Sequence, residues 1–480
     1  MHRIFGPPTN PDKPLLAARP VHAFAPGGPM PAAIDVEQRN SNRRATGWYF
    51  PIRAKFAFAM VLALAWAGLS MVISARWLNE LATIFGFVPA LVVIVSIAIL
   101  PGFMNCFLIV SLLLDKRPPR TPLVTYPPIT VLVAAYNEEK SILATLASID
   151  LNDYPGSVEV IVIDDGSRDA TASIVEGFAR MHANVKLRRQ PINRGKAHAL
   201  NAGLEHVHTE LVVTVDADCY AFAHSLKHLV ERMVNDPPGT AAVAGAVHVR
   251  NSRANWVTAT QEWDYFHGIA AVKRMQSLYQ GTLVAQGAFS IYRANVLREV
   301  GGWSQTVGED IVLTWDILKH GYRVGYAEDA VLFTNAPETV RGLILQRERW
   351  ARGMIEAFKK HWQLLFQPKL RTMFIWWNLT FPVMDLVYTL VFIPGMIAAL
   401  FGYYLLAGPM TLLVLPITAL VNSVMYSIGR SMFGAQSLKV RRNIGGFLLY
   451  ILVYAIIMQP ACVLGYFKEI FNREKRWGTK

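Results

Sequence analysis

The segment ITVLVAAYNEE, residues 129–139, has the composition of a buried β-strand that ends abruptly in polar residues. Apolar runs of this length that are rich in β-branched residues are typical of strands covered on both faces. Helical patterns at 139–149 and 169–181 separate this strand from others of the same kind. Strands that alternate with helices predict an α/β fold with a mostly parallel sheet. The other predicted strands are VEVIVID (158–164), NVKLRRQ (184–190) and ELVVTVDAD (210–218).

Acidic residues follow two of these strands. DDGS at 164–167 closes the second strand, and DAD at 216–218 closes the fourth. Ligands of parallel sheets bind at the carboxyl ends of the strands. Two carboxylates one residue apart are costly to hold together unless a cation neutralises them, and the hard cations Mg2+ and Mn2+ prefer oxygen ligands. The pattern indicates a divalent cation and a phosphate-bearing substrate, with a capping turn and a solvated loop as the alternatives.

Two further segments place charge near predicted helix starts. NRGK at 193–196 puts two cations beside a glycine where a helix begins, and helix starts favour anions. Its spacing is not that of a P-loop. GED at 308–310 precedes an amphipathic segment, 311–320, so Asp310 is either a helix cap or a carboxylate available as a general base.

The composition excludes several classes of protein. Of the 480 residues, 53% are hydrophobic and 17% are charged, whereas soluble proteins carry about 25% charged residues, so part of the surface is expected to face lipid. The three cysteines lie far apart, which supports neither a disulfide framework nor a structural zinc site. The net charge is +13, but the basic residues flank apolar runs and form no stripe interleaved with aromatic residues. Nucleic acid is therefore not an expected partner.

The layout of apolar runs predicts a water-soluble domain between membrane-spanning helices. Stretches at 56–74 and 88–114 have the length that crosses a bilayer, and a later group lies at 383–406, 410–428 and 444–467. If all five cross, the basic C-terminal tail breaks the positive-inside rule, so one of them is expected to be interfacial or re-entrant. The predicted divisions are a flexible tail (1–46), two transmembrane helices (47–120), the water-soluble domain (121–355), an interfacial amphipathic segment (356–382), two or three spans (383–467) and a basic tail (468–480).

Six short motifs follow one another along the chain: AAYNE (134–138), DDGS (164–167), DAD (216–218), QGAFS (286–290), GED (308–310) and QRERW (346–350). In this order they resemble the inverting glycosyltransferases of family two, and within it the membrane-embedded, mostly processive synthases of poly-N-acetylglucosamine, chitin oligosaccharides, hyaluronan and cellulose. The likeness covers residues 129 to about 354, just under half of the chain. It implies a nucleotide-sugar-binding domain of the GT-A type, inserted between N- and C-terminal transmembrane helices.

The resemblance also implies roles for individual residues. Asp310 would be the catalytic base and Glu309 a second catalytic residue, and Asp218 would hold the divalent cation, Mg2+ or Mn2+. The residues expected to bind the nucleotide sugar are Tyr136, Glu138, Asp164, Lys196, Asp216 and Arg349. The residues expected on the acceptor side are Gln286, Gly287, Ser290, Gln346 and Trp350. Independently of the family, a cation and an arginine are suited to stabilise the negative charge that develops on a diphosphate leaving group.

The activity implied by the resemblance is processive transfer from a UDP-sugar, with UDP-N-acetylglucosamine preferred, to a β-linked polysaccharide that crosses the membrane through the protein. A glycolipid-forming enzyme of the same fold and a UDP-glucose-using glucan synthase are the alternatives, and an inactive scaffold or export partner is a remote third. The implied location is the cytoplasmic (inner) membrane, with the catalytic domain in the cytosol. The implied partners are the donor, a polysaccharide or lipid acceptor and membrane lipid, and an accessory membrane or periplasmic subunit is a further option.

Overall fold

The computed structural model describes residues 50–116, 120–407 and 442–473, together with isolated positions between 419 and 434. The strands are β1 (Ile129–Ala135), β2 (Val158–Asp164), β3 (Val185–Arg189), β4 (Leu211–Val215), β5 (Tyr220–Ala221), β6 (Thr240–Val249), β7 (Phe289–Arg293) and β8 (Arg323–Thr334). The helices, which include short π-helical turns, are α1 (Ile52–Phe85), α2 (Phe87–Leu113), α3 (Ile142–Asp150), α4 (Thr171–Met181), α5 (Lys196–Leu204), α6 (Ser225–Asn235), α7 (Trp256–Trp263), α8 (Val272–Leu278), α9 (Ala294–Glu299), α10 (Glu309–Lys319), α11 (Val340–His361), α12 (Thr372–Leu400) and α13 (Ile444–Ile470).

The eight strands form one sheet in the order β3-β2-β1-β4-β7-β6-β8-β5. Four strand pairs are parallel and three are antiparallel, which confirms the mostly parallel α/β sheet. The predicted strands β1 to β4 lie side by side and parallel, as crossover connections through helices require. Strand β7 runs antiparallel between β4 and β6. Strands β5 to β8 were not predicted from the sequence.

Successive residues of the central strands point to opposite faces of the sheet, and both faces are covered. Leu132 of β1 packs in the cluster that includes Leu200 of α5. Its neighbour Val133 packs in the cluster that includes Leu146 of α3. Burying a side chain of this size stabilises the fold by about 1.5–3 kcal/mol. Burial on both faces explains why these strands are continuous apolar runs rather than alternating ones.

Four helices of the described residues are long and apolar enough to cross a membrane, namely α1, α2, α12 and α13. Helix α1 extends beyond the predicted 56–74 on both sides, and α2 lies close to the predicted 88–114. Helix α12 begins at Thr372, inside the segment predicted to be interfacial, because its aromatic first turns continue the helix into the apolar run. Most of the predicted span 410–428, the tail 1–46 and residues 474–480 lie outside the described residues.

Helix α11, which carries the QRERW motif, packs directly on α13. Gly465 allows the close approach, because a Cβ atom there would lie 2.5 Å from the Glu348 carbonyl oxygen. The buried Glu469 carboxylate accepts from Arg352 at 3.4 Å and lies 3.1 Å from the Lys359 ammonium. The last helix is therefore joined to the motif helix by charge as well as by packing.

Replacing Glu469 by Ala is expected to lower the free energy of unfolding by about 3 kcal/mol, because it leaves the buried Arg352 guanidinium without its carboxylate. The midpoint of thermal unfolding in detergent, followed by tryptophan fluorescence, measures the effect. Glu80→Ala is the matched control, since it removes an exposed Arg76–Glu80 pair and is expected to cost less than about 1 kcal/mol. Equal midpoints for the two variants would contradict the assigned role.

Candidate active site

The ends of β4 and the starts of α5 and α10 meet at one edge of the sheet around a single lysine. The Lys196 ammonium forms an ion pair with the Asp216 carboxylate and lies 3.5 Å from Glu309 Oε1. Burial lowers the pKa of Lys196, but the nearby carboxylates, including Asp310, outweigh burial and raise it overall. Lys196 therefore stays positively charged at neutral pH. Three residues from three separate motifs are brought together here.

The DAD motif offers a set of ligand atoms for a hard cation. One atom each from Asp216, Asp218 and Cys219 lies within 4.8 Å of the others. Burial, followed by the carboxylates of Asp216 and Glu138, raises the pKa of Asp218 to about 6. Burial raises the pKa of the Cys219 thiol, so at neutral pH the carboxylates are the available ligands. Two carboxylates that repel each other fit Mg2+ or Mn2+ by charge and by donor type.

The DDGS motif interlocks with NRGK. The Asp165 carboxylate accepts from the backbone N–H groups of Arg194 at 3.1 Å and Gly195 at 2.7 Å. Gly166 has φ +72°, and a Cβ atom there would lie 2.8 Å from the Asn193 nitrogen, so the two turns touch. Helix α5 begins at the next turn, which fixes Lys196 at a helix start as predicted.

The predicted nucleotide side lies at the ends of β1 and β2. Asp164 is fully buried and accepts from the Ser167 N–H at 3.2 Å. Among the described residues no hydrogen-bond donor reaches Asp164 Oδ2, although Arg189 Nε lies 3.7 Å away. Glu138 accepts from the Ser141 hydroxyl at 2.7 Å, and Tyr136 is exposed. A cavity of about 530 Å³ opens beside Asp164, lined by Gly166, Ser167, Arg168, Arg189, Gln190 and Pro191.

Asp310 lies against the QGAFS loop. Its Oδ2 atom accepts from the Gly287 N–H at 3.3 Å, and its Oδ1 atom accepts from the Ile311 N–H at 2.8 Å. A Cβ atom at Gly287 would lie 2.8 Å from Lys196 Nζ, so the backbone of the loop passes close to the lysine. Glu309 differs from Asp310, because it is buried beside Lys196; burial raises its pKa and Lys196 only partly opposes this. The two neighbouring carboxylates therefore have different surroundings.

Two other QGAFS residues, Gln286 and Ser290, make hydrogen bonds that hold the loop in place. Gln286 donates through Nε2 to the Gly245 carbonyl at 2.7 Å and accepts from the ammonium of Lys273. Ser290 is fully buried in β7 and donates to the Gln286 carbonyl at 2.8 Å. Of the three predicted acceptor residues in this loop, Ser290 thus lies inside the sheet. Lys273 was not predicted, because α8 carries no recognisable motif.

In QRERW, the tryptophan rests on a buried arginine. The Arg347 guanidinium lies 4.1 Å from the centre of the Trp350 ring and donates to Asp264 Oδ2 at 2.7 Å. Trp350 is 39% exposed, so part of its surface stays free for a ligand. Gln346 is buried, and no hydrogen-bond donor of the described residues reaches its Oε1 atom. Arg347 and Asp264 were not predicted from the sequence. The one available signal was that Arg347 is the basic residue of the motif without an assigned role.

Arg349 links this helix to the carboxylate cluster. Its guanidinium is near enough to lower the pKa of Glu309, against the larger effect of burial. The site thus combines an acidic cation site, two fixed cations and a separate carboxylate, with an aromatic ring on a neighbouring helix.

The sheet and this edge define a GT-A-like glycosyltransferase domain. Residues 127–353 match the model of the family described as "Glycosyltransferase like family 2". The match covers just under half of the chain.

Relatives share this domain but only part of their length. The chain is 33% identical to the poly-beta-1,6-N-acetyl-D-glucosamine synthase of Staphylococcus epidermidis over 245 residues, which are 51% of this chain and 58% of the relative. The synthase of the same name from Staphylococcus aureus (strain COL) is 33% identical over 226 residues, or 47% of this chain and 54% of the relative. The matched part therefore spans little more than half of these curated relatives.

A solved structure shares the fold over most of the chain. The mannosyltransferase PcManGT from Pyrobaculum calidifontis, in complex with GDP-Man and Mn2+, is 21% identical and superposes with a TM-score of 0.51. The match covers 88% of this chain and 100% of that one. At this identity the likeness shows a common fold.

Proposed function

We propose that the protein is a membrane-embedded, processive, inverting glycosyltransferase that polymerises UDP-N-acetylglucosamine into a β-linked polysaccharide and translocates it across the membrane. The observation that carries the proposal is the convergence of Lys196, the DAD carboxylates and Asp310 at one edge, beside a motif helix packed on an apolar helix. The names of the relatives, poly-beta-1,6-N-acetyl-D-glucosamine synthases, support the donor and the polymer.

Each part of the edge has a task in this reaction. Asp310 removes the proton from the acceptor hydroxyl as the hydroxyl attacks the sugar carbon, and the bond to the diphosphate breaks. Lys196 and Arg349 lie where negative charge grows on the leaving diphosphate. Mg2+ or Mn2+ held by Asp218, with Asp216 beside it, would add positive charge to the same group. The Mn2+ in the mannosyltransferase structure supports this class of ion.

We place the nucleotide and the acceptor sugar on opposite sides of the sheet edge that carries Lys196 and Asp310. Tyr136, Glu138 and Asp164 receive the uridine, and Asp164 lies buried at the end of β2, where no donor of the described residues reaches its Oδ2 atom. Trp350 offers a flat apolar face to the CH groups of the acceptor sugar, with Gln346, Gln286 and Gly287 around it.

The surroundings of the domain fit a polymer that leaves through the membrane. Four described helices are apolar enough to cross it, and α13 contacts the motif helix directly. We place the protein in the cytoplasmic (inner) membrane with the catalytic domain in the cytosol, which is where UDP-sugars are available. Membrane lipid is then a permanent partner, and an accessory subunit is an open option.

The test is donor turnover by the purified full-length chain in lipid, with Mg2+ or Mn2+ and a panel of UDP-sugars. UDP release and product size are measured together, with Asp310→Asn as the background control. Long product from UDP-N-acetylglucosamine alone is the expected result. Long product from UDP-glucose would identify a glucan synthase, a single-sugar lipid product would identify a glycolipid enzyme, and no UDP release from any donor would favour a scaffold.

A further inference from the structure

A buried lysine that belongs to none of the motifs lies next to the proposed base. Lys273, in α8, is only 7% exposed. Its ammonium donates a hydrogen bond to Gln286 Oε1. Burial of an ammonium group is costly unless partners compensate for it. The contacts of Lys273 should therefore show what compensates for its burial.

Lys273 is connected to Asp310 through two consecutive residues. The Gln286 amide is fixed at both ends, because its Nε2 atom donates to the Gly245 carbonyl at 2.7 Å while its oxygen faces Lys273. The next residue, Gly287, donates its N–H to Asp310 Oδ2 at 3.3 Å. The position of the lysine thus sets the position of the loop that holds the carboxylate.

Helix α8 is itself held in place against α2. Arg274 Nε lies 2.6 Å from Asp115 Oδ2. The Tyr279 hydroxyl, just after the helix, donates to Ser111 Oγ at 2.9 Å. Both contacts lie C-terminal to Lys273, so the Tyr279 hydrogen bond still holds α8 against α2 when the Arg274 ion pair is broken.

The charges around Lys273 also connect this lysine to Asp310. Burial lowers the pKa of Lys273 to about 7, and the Asp310 carboxylate is the charge that opposes this. Lys196 also faces Asp310, but its charge is shared with Asp216 and Glu309. The titratable and charged groups around Asp310 are Glu309 on its own helix, Lys196 of α5, Lys273 of α8 and Tyr292 of β7, with Arg349 of α11 facing Glu309.

We propose that Lys273 is a positioning residue of the transfer step, whose ammonium fixes the Gln286–Gly287 loop that holds Asp310 and supplies a positive charge near the Asp310 carboxylate. This inference rests on the proposed function and extends it to a helix outside the six motifs. Lys273 acts through the loop and through its charge, with no direct contact to substrate required.

Lys273→Met removes the charge and Lys273→Arg keeps it. Without the ammonium, the Asp310 carboxylate loses an opposite charge that interacts with it. In Lys273→Met, the acidic limb of the pH profile of kcat is therefore expected to move to higher pH by about one unit. The value of kcat at neutral pH is expected to fall about tenfold. The KM for the UDP-sugar is expected to stay the same. Lys273→Arg is expected to keep the wild-type acidic limb.

Arg274→Met is the matched control, because it removes the neighbouring cation of α8 and its ion pair with Asp115. It is expected to lower the melting temperature without moving the acidic limb. Lys273→Gln, which keeps a polar group at the buried position, replaces Lys273→Met if the methionine variant does not fold. A wild-type limb in the folded, UDP-binding variant would overturn the proposal.

A second measurement separates this inference from the proposed function. Infrared difference titration against Asp310→Asn reports the protonation of the Asp310 carboxyl whether or not sugar is transferred. The same upward movement in Lys273→Met is expected there. A movement of this signal in a protein that releases no UDP would refute the proposed function and keep the inference, whereas an unmoved signal would refute the inference alone.

Discussion

Replacing Asp310 by Asn is expected to lower the rate of sugar transfer by about three orders of magnitude, in the upper part of the range for loss of a general base. Asparagine has the same shape, and its carbonyl oxygen can still accept the Gly287 N–H. It cannot take the proton of the acceptor hydroxyl. The rate of UDP release and the affinity for UDP, measured by calorimetry on the same preparation, separate chemistry from binding. UDP affinity is expected to stay within a factor of about three, because Lys196 and Asp216 are unchanged.

Glu309→Gln is the matched control for this prediction, since it neutralises the adjacent carboxylate. Its expected effect is smaller, about tenfold on kcat, because Lys196 keeps its ion pair with Asp216. The buried position of Glu309 beside Lys196 indicates that it orients the lysine rather than takes a proton. If Glu309→Gln abolished transfer and Asp310→Asn did not, the two assignments would have to be exchanged.

The parallel half of the sheet was predictable because its signal is local. Strand β1 is an apolar run with a polar stop, and the helices on either side of it have their own periodicity. Strand β7 was missed because FSIYR is short and its partners β4 and β6 are distant in sequence. Strand β6 is rich in alanine, which is not typical of strands, and its position is fixed by pairing with β8.

The site was predictable to the extent that its chemistry is concentrated in motifs. Lys196 and Asp216 could be expected near one another, because helix starts and strand ends meet at one edge of such a sheet. The roles of Lys273 and Asp264 could not be predicted, because each depends on a tertiary contact, with Gln286 and with Arg347, that leaves no pattern in the sequence. Arg347 lies within a motif, yet its stacking on Trp350 depends on Asp264, far away in the chain.

Replacing Asp218 by Asn is expected to reduce transfer by about two orders of magnitude at a Mn2+ concentration that saturates the wild type. The neutral amide removes the repulsion with Asp216 that makes a cation favourable at this site, and it replaces a charged oxygen ligand with an uncharged one. Mn2+ binding followed by electron paramagnetic resonance is expected to weaken in parallel. Part of the activity is expected to return at high Mn2+, because Asp216 still offers one carboxylate.

Cys219→Ser tests the same site without touching its charge. The Cys219 thiol lies 3.5 Å from Asp218 Oδ1, and burial keeps it protonated. A protonated thiol is a poor ligand for a hard cation, so this variant is expected to keep the wild-type Mn2+ dependence. If Cys219→Ser shifted the Mn2+ requirement as strongly as Asp218→Asn, the sulfur would be a ligand and the two-carboxylate site would be wrong. If Asp218→Asn bound Mn2+ normally, the cation would lie elsewhere along this edge.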